Sequence, residues 1–120
     1  MRQDEMLDAL RRWFRANRHK LVAAPIHGSL RRSELEDETL TPPLYKAGFD
    51  LRSEKILASF TVWGTGEVSV IIMDNETASE LLVDDRRLLE ATDLDAVLDH
   101  YCTQIATSGP FTRYVPERKQ

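Results

Sequence analysis

Residues 56–73 read ILASFTVWGTGEVSVIIM, and the fold turns on them. Ile56, Ala58, Phe60 and Val62 alternate with Leu57, Ser59, Thr61 and Trp63; further on, Val68, Val70 and Ile72 alternate with Ser69, Ile71 and Met73. A period of two belongs to a strand, where successive side chains point to opposite faces of a sheet. Gly64-Thr65-Gly66 lies between the two runs, and glycine supplies the positive φ of a tight hairpin without steric cost. The stretch is therefore an antiparallel pair. Phe60, Val62, Val70 and Ile72 are expected on one face, and Ser59, Thr61, Trp63, Ser69, Ile71 and Met73 on the other.

Working outward, the same period holds upstream, where Tyr45, Ala47, Phe49 and Leu51 alternate with Leu44, Lys46, Gly48 and Asp50 before a polar turn at 52–55. Downstream, the turn formers Asp74 to Thr77 lead into Ser79 to Asp84, a fourth and more exposed strand ending in a charged cluster. Two segments carry a helical period instead. After Asp4 as N-cap, Met6, Leu7, Leu10, Trp13, Phe14 and Leu21 form one apolar stripe, expected to end near Val22 because Pro25 disfavours the helical region at Ala24. Thr92 is the expected cap of a second helix with the stripe Leu94, Val97, Leu98, Tyr101, Cys102 and Ile105, ended by Gly109-Pro110.

Residues 23–43 read as an irregular connection, with a short helix between Ser33 and Leu40 as an option, and 109–120 as a flexible tail. The expectation is one α+β domain over residues 1–108. It has two layers, a four-stranded antiparallel meander with the N-terminal and C-terminal helices on one face. Leu10, Phe14, Phe60, Val70, Leu98 and Ile105 are expected in the core. The other face then carries Trp63, Ile71 and Met73, to be covered by the 23–43 connection or by a partner.

The chain has 120 residues, 42% of them hydrophobic, enough to close a single core unaided. Cys102 is the only cysteine, so no internal disulfide forms, and the opening MRQDEMLD lacks the basic and apolar regions of a secretory signal. No apolar run approaches the roughly 18 residues of a membrane helix. A cytoplasmic protein without membrane contact is expected. Net charge is −4, unevenly spread: residues 1–32 carry +5, 33–108 carry −11 and 109–120 carry +2. An acidic middle repels nucleic acid but attracts a basic protein partner and speeds docking; plain solvation is the competing explanation.

Little here points to chemistry. His19, His27 and His100 have no second ligand at metal-binding spacing, so no metal and no cofactor is expected. Cys102 sits in an apolar stripe, where a thiol is inert. Gly64-Thr65-Gly66 joins two strands and does not open a helix, so it is no phosphate loop. The carboxylates Glu36, Asp37 and Glu38, and Asp84 and Asp85, read as solvated charge rather than the desolvated pair of an acid–base catalyst. The arginines of the first helix have no interleaved aromatic, which argues against direct nucleic-acid binding. The chain is not expected to be an enzyme.

Trp13, Asn17 and Leu21, then FDLRSEKILASFTVWGTGEVSVIIMDNET (49–77) and DLDAVLDHYCTQI (93–105), resemble the TriTu-type immunity proteins of bacterial contact-dependent and polymorphic toxin systems. The likeness rests on a Trp-x-x-x-Asn-x-x-x-Leu pattern at Trp13, Asn17 and Leu21 and on Thr61, Val62, Trp63 and Gly66 around the hairpin. It implies a toxin inhibitor without an active site, which binds a cognate toxin domain, often a nuclease with a basic cleft, in the producing cell. On that implication the candidate partner-binding residues are Glu36, Asp37, Glu38, Trp63, Ile71, Met73, Asp84 and Asp85. The alternative is a self-associating structural or adaptor domain, a homodimer pairing sheets through Trp63, Ile71 and Met73.

Overall fold

A computed structural model describes residues 2–37, 39 and 44–116, without the side chains of Gln3 and of residues 32–37. The elements in chain order are α1 (Gln3–Ala23), β1 (His27–Asp37), β2 (Leu44–Arg52), β3 (Ile56–Trp63), β4 (Glu67–Asp74), β5 (Glu80–Arg87) and α2 (Asp93–Ala106). The strands form one antiparallel sheet in the order β1-β2-β3-β4-β5. The α+β meander with two helices stands, with five strands instead of four.

The extra strand is β1. Its sequence HGSLRRSELED holds no β-branched or aromatic residue, so nothing in local propensity marks it. Its backbone is instead paired by β2, from His27 opposite Arg52 to Asp37 opposite Leu44, with register shifts after Arg31 and after Leu35. A charged, irregular strand is what a sheet tolerates at its edge. Residues 27–37 thus extend the sheet sideways and do not fold over its open face.

Register fixes the two faces. Phe49, Phe60, Val70 and Asp84 lie opposite one another across β2 to β5, as do Leu51, Ala58, Ile72 and Leu82. This face meets the helices. α1 lies over β1, β2 and β3 and packs on α2. Phe49 is the hub: its ring stacks on Trp13 at 5.6 Å and on Phe60 at 4.8 Å, and meets Phe14 at 5.1 Å. The six expected core residues, Leu10, Phe14, Phe60, Val70, Leu98 and Ile105, are all buried.

Two details differ from expectation at the helix starts. Asp4 lies inside α1, whose N-cap is Arg2, and the Thr92 side chain makes no capping hydrogen bond. Carboxylates in both first turns, Asp4 and Glu5, then Asp93 and Asp95, still favour the positive end of each helix dipole.

β5 runs further than expected, to Arg87, and an irregularity opposite Met73 sets its facing. Asp84 consequently turns inward. It is 1% exposed and is the buried charged residue of the described core. Arg86 donates to it from Nη2 at 2.6 Å, the Tyr101 hydroxyl donates to it as well, and Arg113 Nε stands 3.4 Å away. Burial pushes the Asp84 carboxyl up, but these hydrogen bonds and the Arg86 and Arg113 charges outweigh it and hold the group below the usual carboxylate range. The same site pushes the Tyr101 hydroxyl up to about 12, by burial first and then by its bond to Asp84.

The cluster also ties down the segment after α2, which the sequence presents as a flexible tail. Arg86 Nη2 donates to the Tyr114 carbonyl at 2.6 Å and the Tyr114 amide donates to the Tyr101 hydroxyl at 2.9 Å. Phe111 and Tyr114 pack on the core. Residues 117–120 lie outside the described residues.

Candidate functional site

The face away from the helices is built from alternate residues of all five strands. Gly48, Thr61, Ser69 and Asp85 form one row across β2 to β5, continued on β1 by Arg31. The next row holds Asp50, Ser59, Ile71 and Val83, and beyond it Leu57 opposes Met73. Trp63 stands at the other end of β3, opposite Lys46. Among the described residues, no segment lies across this face.

The expected binding residues sort accordingly. Trp63, Ile71 and Met73 are half-buried and Asp85 is exposed, all on this face. They form two groups. Trp63 lies about 13 Å along β3 from the Ile71 row, four residues at strand rise. It lines a cleft of about 410 Å³ with Glu67, Ser69, Asp85 and Arg87. Ile71 and Met73 instead join Leu57 and Val83 in an apolar cluster on β3, β4 and β5.

Asp84 belongs to neither group: it is buried on the helix side, where its neighbours Arg86 and Tyr101 compensate its charge. Glu36 and Asp37 have backbone in β1 but undescribed side chains, and Glu38 lies outside the described residues.

The residue that sequence reasoning missed is Arg31. Its side chain leaves β1, crosses Gly48 and donates from Nη2 to the Phe60 carbonyl at 2.6 Å, to Thr61 Oγ1 at 2.7 Å and to Ser59 Oγ at 3.3 Å. Gly48 makes this possible, since a Cβ there would overlap both the guanidinium and the Phe60 carbonyl. Arg31 Nε lies 3.4 Å from the Asp50 carboxylate. No sequence signal points to this arrangement, because it depends on the pairing of a strand without strand propensity.

On the helix side, Trp13, Asn17 and Leu21 line a cavity of about 340 Å³ between α1 and α2. Trp13 Nε1 donates to Asp99 at 2.8 Å and Asn17 Nδ2 donates to the Trp13 carbonyl at 2.8 Å. Trp13 thus ties α1 to α2, while Asn17 bonds back within α1. Cys102 is buried beside them, and burial followed by the Asp99 charge drives its thiol far up, away from any nucleophilic role. Among the described residues no group of three or more His, Cys, Asp or Glu is placed to hold a metal ion, and no helix is long and apolar enough to cross a membrane.

Against this geometry stand the comparisons with known proteins. A family model described as Immunity protein TriTu matches residues 8–103, which takes in most of α1, the five strands and most of α2. No curated protein and no solved structure matches the chain.

Proposed function

Since the chain belongs to the TriTu family of immunity proteins, we propose that it neutralises a cognate toxin domain by docking the open face of its sheet onto the toxin's active or substrate-binding surface. The observation that carries this reading is the face left uncovered among the described residues, on which Trp63 and Asp85 share one cleft while Leu57, Ile71, Met73 and Val83 form an apolar cluster. Interfaces draw their durable energy from a few aromatic anchors and their association rate from surrounding charge. The −11 carried by residues 33–108 suits a toxin with a basic surface, such as a nuclease working on a phosphate backbone. Its action is stoichiometric, in the cytoplasm of the producing cell, and needs neither cofactor nor catalytic group of its own.

The test is to mix the purified protein with the toxin domain encoded immediately upstream. A stable complex and loss of toxicity are expected; an upstream reading frame that encodes no toxin, or a toxin that remains active and unbound, overturns the reading. The apolar cluster favours one second reading, in which two copies pair these faces. A monomer at every concentration in sedimentation equilibrium removes it.

A further inference from the structure

We propose that Arg31 is the central anchor of this docking face and that it receives a carboxylate, an Asp or Glu side chain of the toxin domain. The inference rests on the docking face proposed above and names the chemistry at its middle.

Arg31 starts on the edge strand, but its guanidinium lies over β3, the central strand of five. Three acceptors share Nη2, from the Phe60 carbonyl, Thr61 and Ser59, so the group is held in one orientation before any partner arrives. Its Nε is shielded from solvent, makes no hydrogen bond and faces Asp50 at 3.4 Å. Nη1 has no acceptor among the described residues, and the side chain as a whole is 36% exposed.

A guanidinium held through Nη2 leaves Nη1 to donate to a carboxylate without the entropy cost of ordering a free arginine. Its surroundings are those of an interface centre. Trp63 lies two residues along β3 from Thr61, and Ile71 lies opposite Ser59, so a docked surface resting on both excludes water from the contact between them. Asp50 offsets part of the charge but is itself 43% exposed, which leaves it in competition with an incoming carboxylate and not merged with the guanidinium. Summed charge and local contact act at different ranges: the −11 of residues 33–108 draws a basic toxin in, and Arg31 pairs with one acidic side chain after contact.

Binding kinetics against the upstream toxin domain test this, with thermal melting of each variant alongside. Arg31→Met is expected to speed dissociation at least about ten-fold. Asp50→Asn removes the internal competitor and is expected to slow dissociation while leaving the fold intact, so it decides the matter if Arg31→Met fails to fold. A wild-type protein that forms no complex removes both the docking face and the anchor. A wild-type complex whose dissociation is unchanged by a folded Arg31→Met, or is quickened by Asp50→Asn, removes the anchor and leaves the docking face standing.

Discussion

Trp63 is half-buried on a face that no described segment covers, so truncating it removes contact area for a partner without opening the core. Trp63→Ala should melt close to the wild type and chiefly speed release of the toxin; a large drop in melting temperature would show that Trp63 supports the fold. Phe60 is the opposite case, 0% exposed and stacked on Phe49. Phe60→Ala should cost about 3–5 kcal/mol in urea denaturation, the range for deleting a buried aromatic. Asp84 contributes to the acid behaviour. Its folded pKa lies below the ordinary 3.8, so its contribution to stability is complete above that value and is lost as pH falls through the lower folded value. Unfolding free energy should therefore decline below about pH 4, and the Asp84 carboxyl should titrate under 3.8 by NMR. A midpoint at or above 3.8 would contradict the pairing with Arg86 and Tyr101.

At the scale of elements, the segment after α2 is held by side chains of that helix, by His100 and Gln104 at Thr112 and by Tyr101 at Tyr114. The Tyr101 hydroxyl donates to Asp84 and accepts from the Tyr114 amide, which links β5, α2 and the C-terminal segment through two hydrogen bonds. Tyr101→Phe keeps the ring and removes both bonds, leaving a buried carboxylate short of one donor. The expected cost is about 1–3 kcal/mol, with faster hydrogen exchange at the Tyr114 amide. Unchanged exchange there would mean that Arg86 and packing of Phe111 suffice. The α1–α2 pair has a comparable device in the Trp13–Asp99 hydrogen bond, so the Trp-x-x-x-Asn-x-x-x-Leu pattern serves helix docking first.

For the whole molecule, acidic and basic residues are mixed on the open face. α1 presents Arg12, Arg15, Arg18 and Lys20 to solvent on the helix side, whereas on the sheet side Glu67 and Asp85 stand near Trp63 together with Arg87 and Lys46. Long-range attraction of a basic toxin should come from the summed charge of residues 33–108. Reversing Asp85 together with Glu36, Asp37 and Glu38 should slow association and flatten its salt dependence, with little effect on release, measured by stopped-flow mixing at several ionic strengths. Association of the wild type that does not vary with salt would dismiss electrostatic steering altogether.

The sequence by itself determined the elements whose side chains repeat with a period: both helices, the strands from Leu44 to Asp74, and a core centred on Phe60, because alternation and amphipathic stripes report burial directly. It also carried the family, through the Trp13, Asn17 and Leu21 pattern and the Thr61–Gly66 hairpin, which the match over residues 8–103 bears out. Tertiary structure alone decided three things. β1 exists because β2 supplies its hydrogen bonds, and a strand made by its neighbour leaves no trace in its own residues. Asp84 and Asp85 are adjacent in sequence, yet one is sealed in the core and the other exposed, since strand facing was set by an irregularity opposite Met73. Arg31 reaches the middle of the open face only because pairing places it beside Gly48 and Gly48 has no side chain to block it, a coincidence of three strands that no one-dimensional pattern encodes.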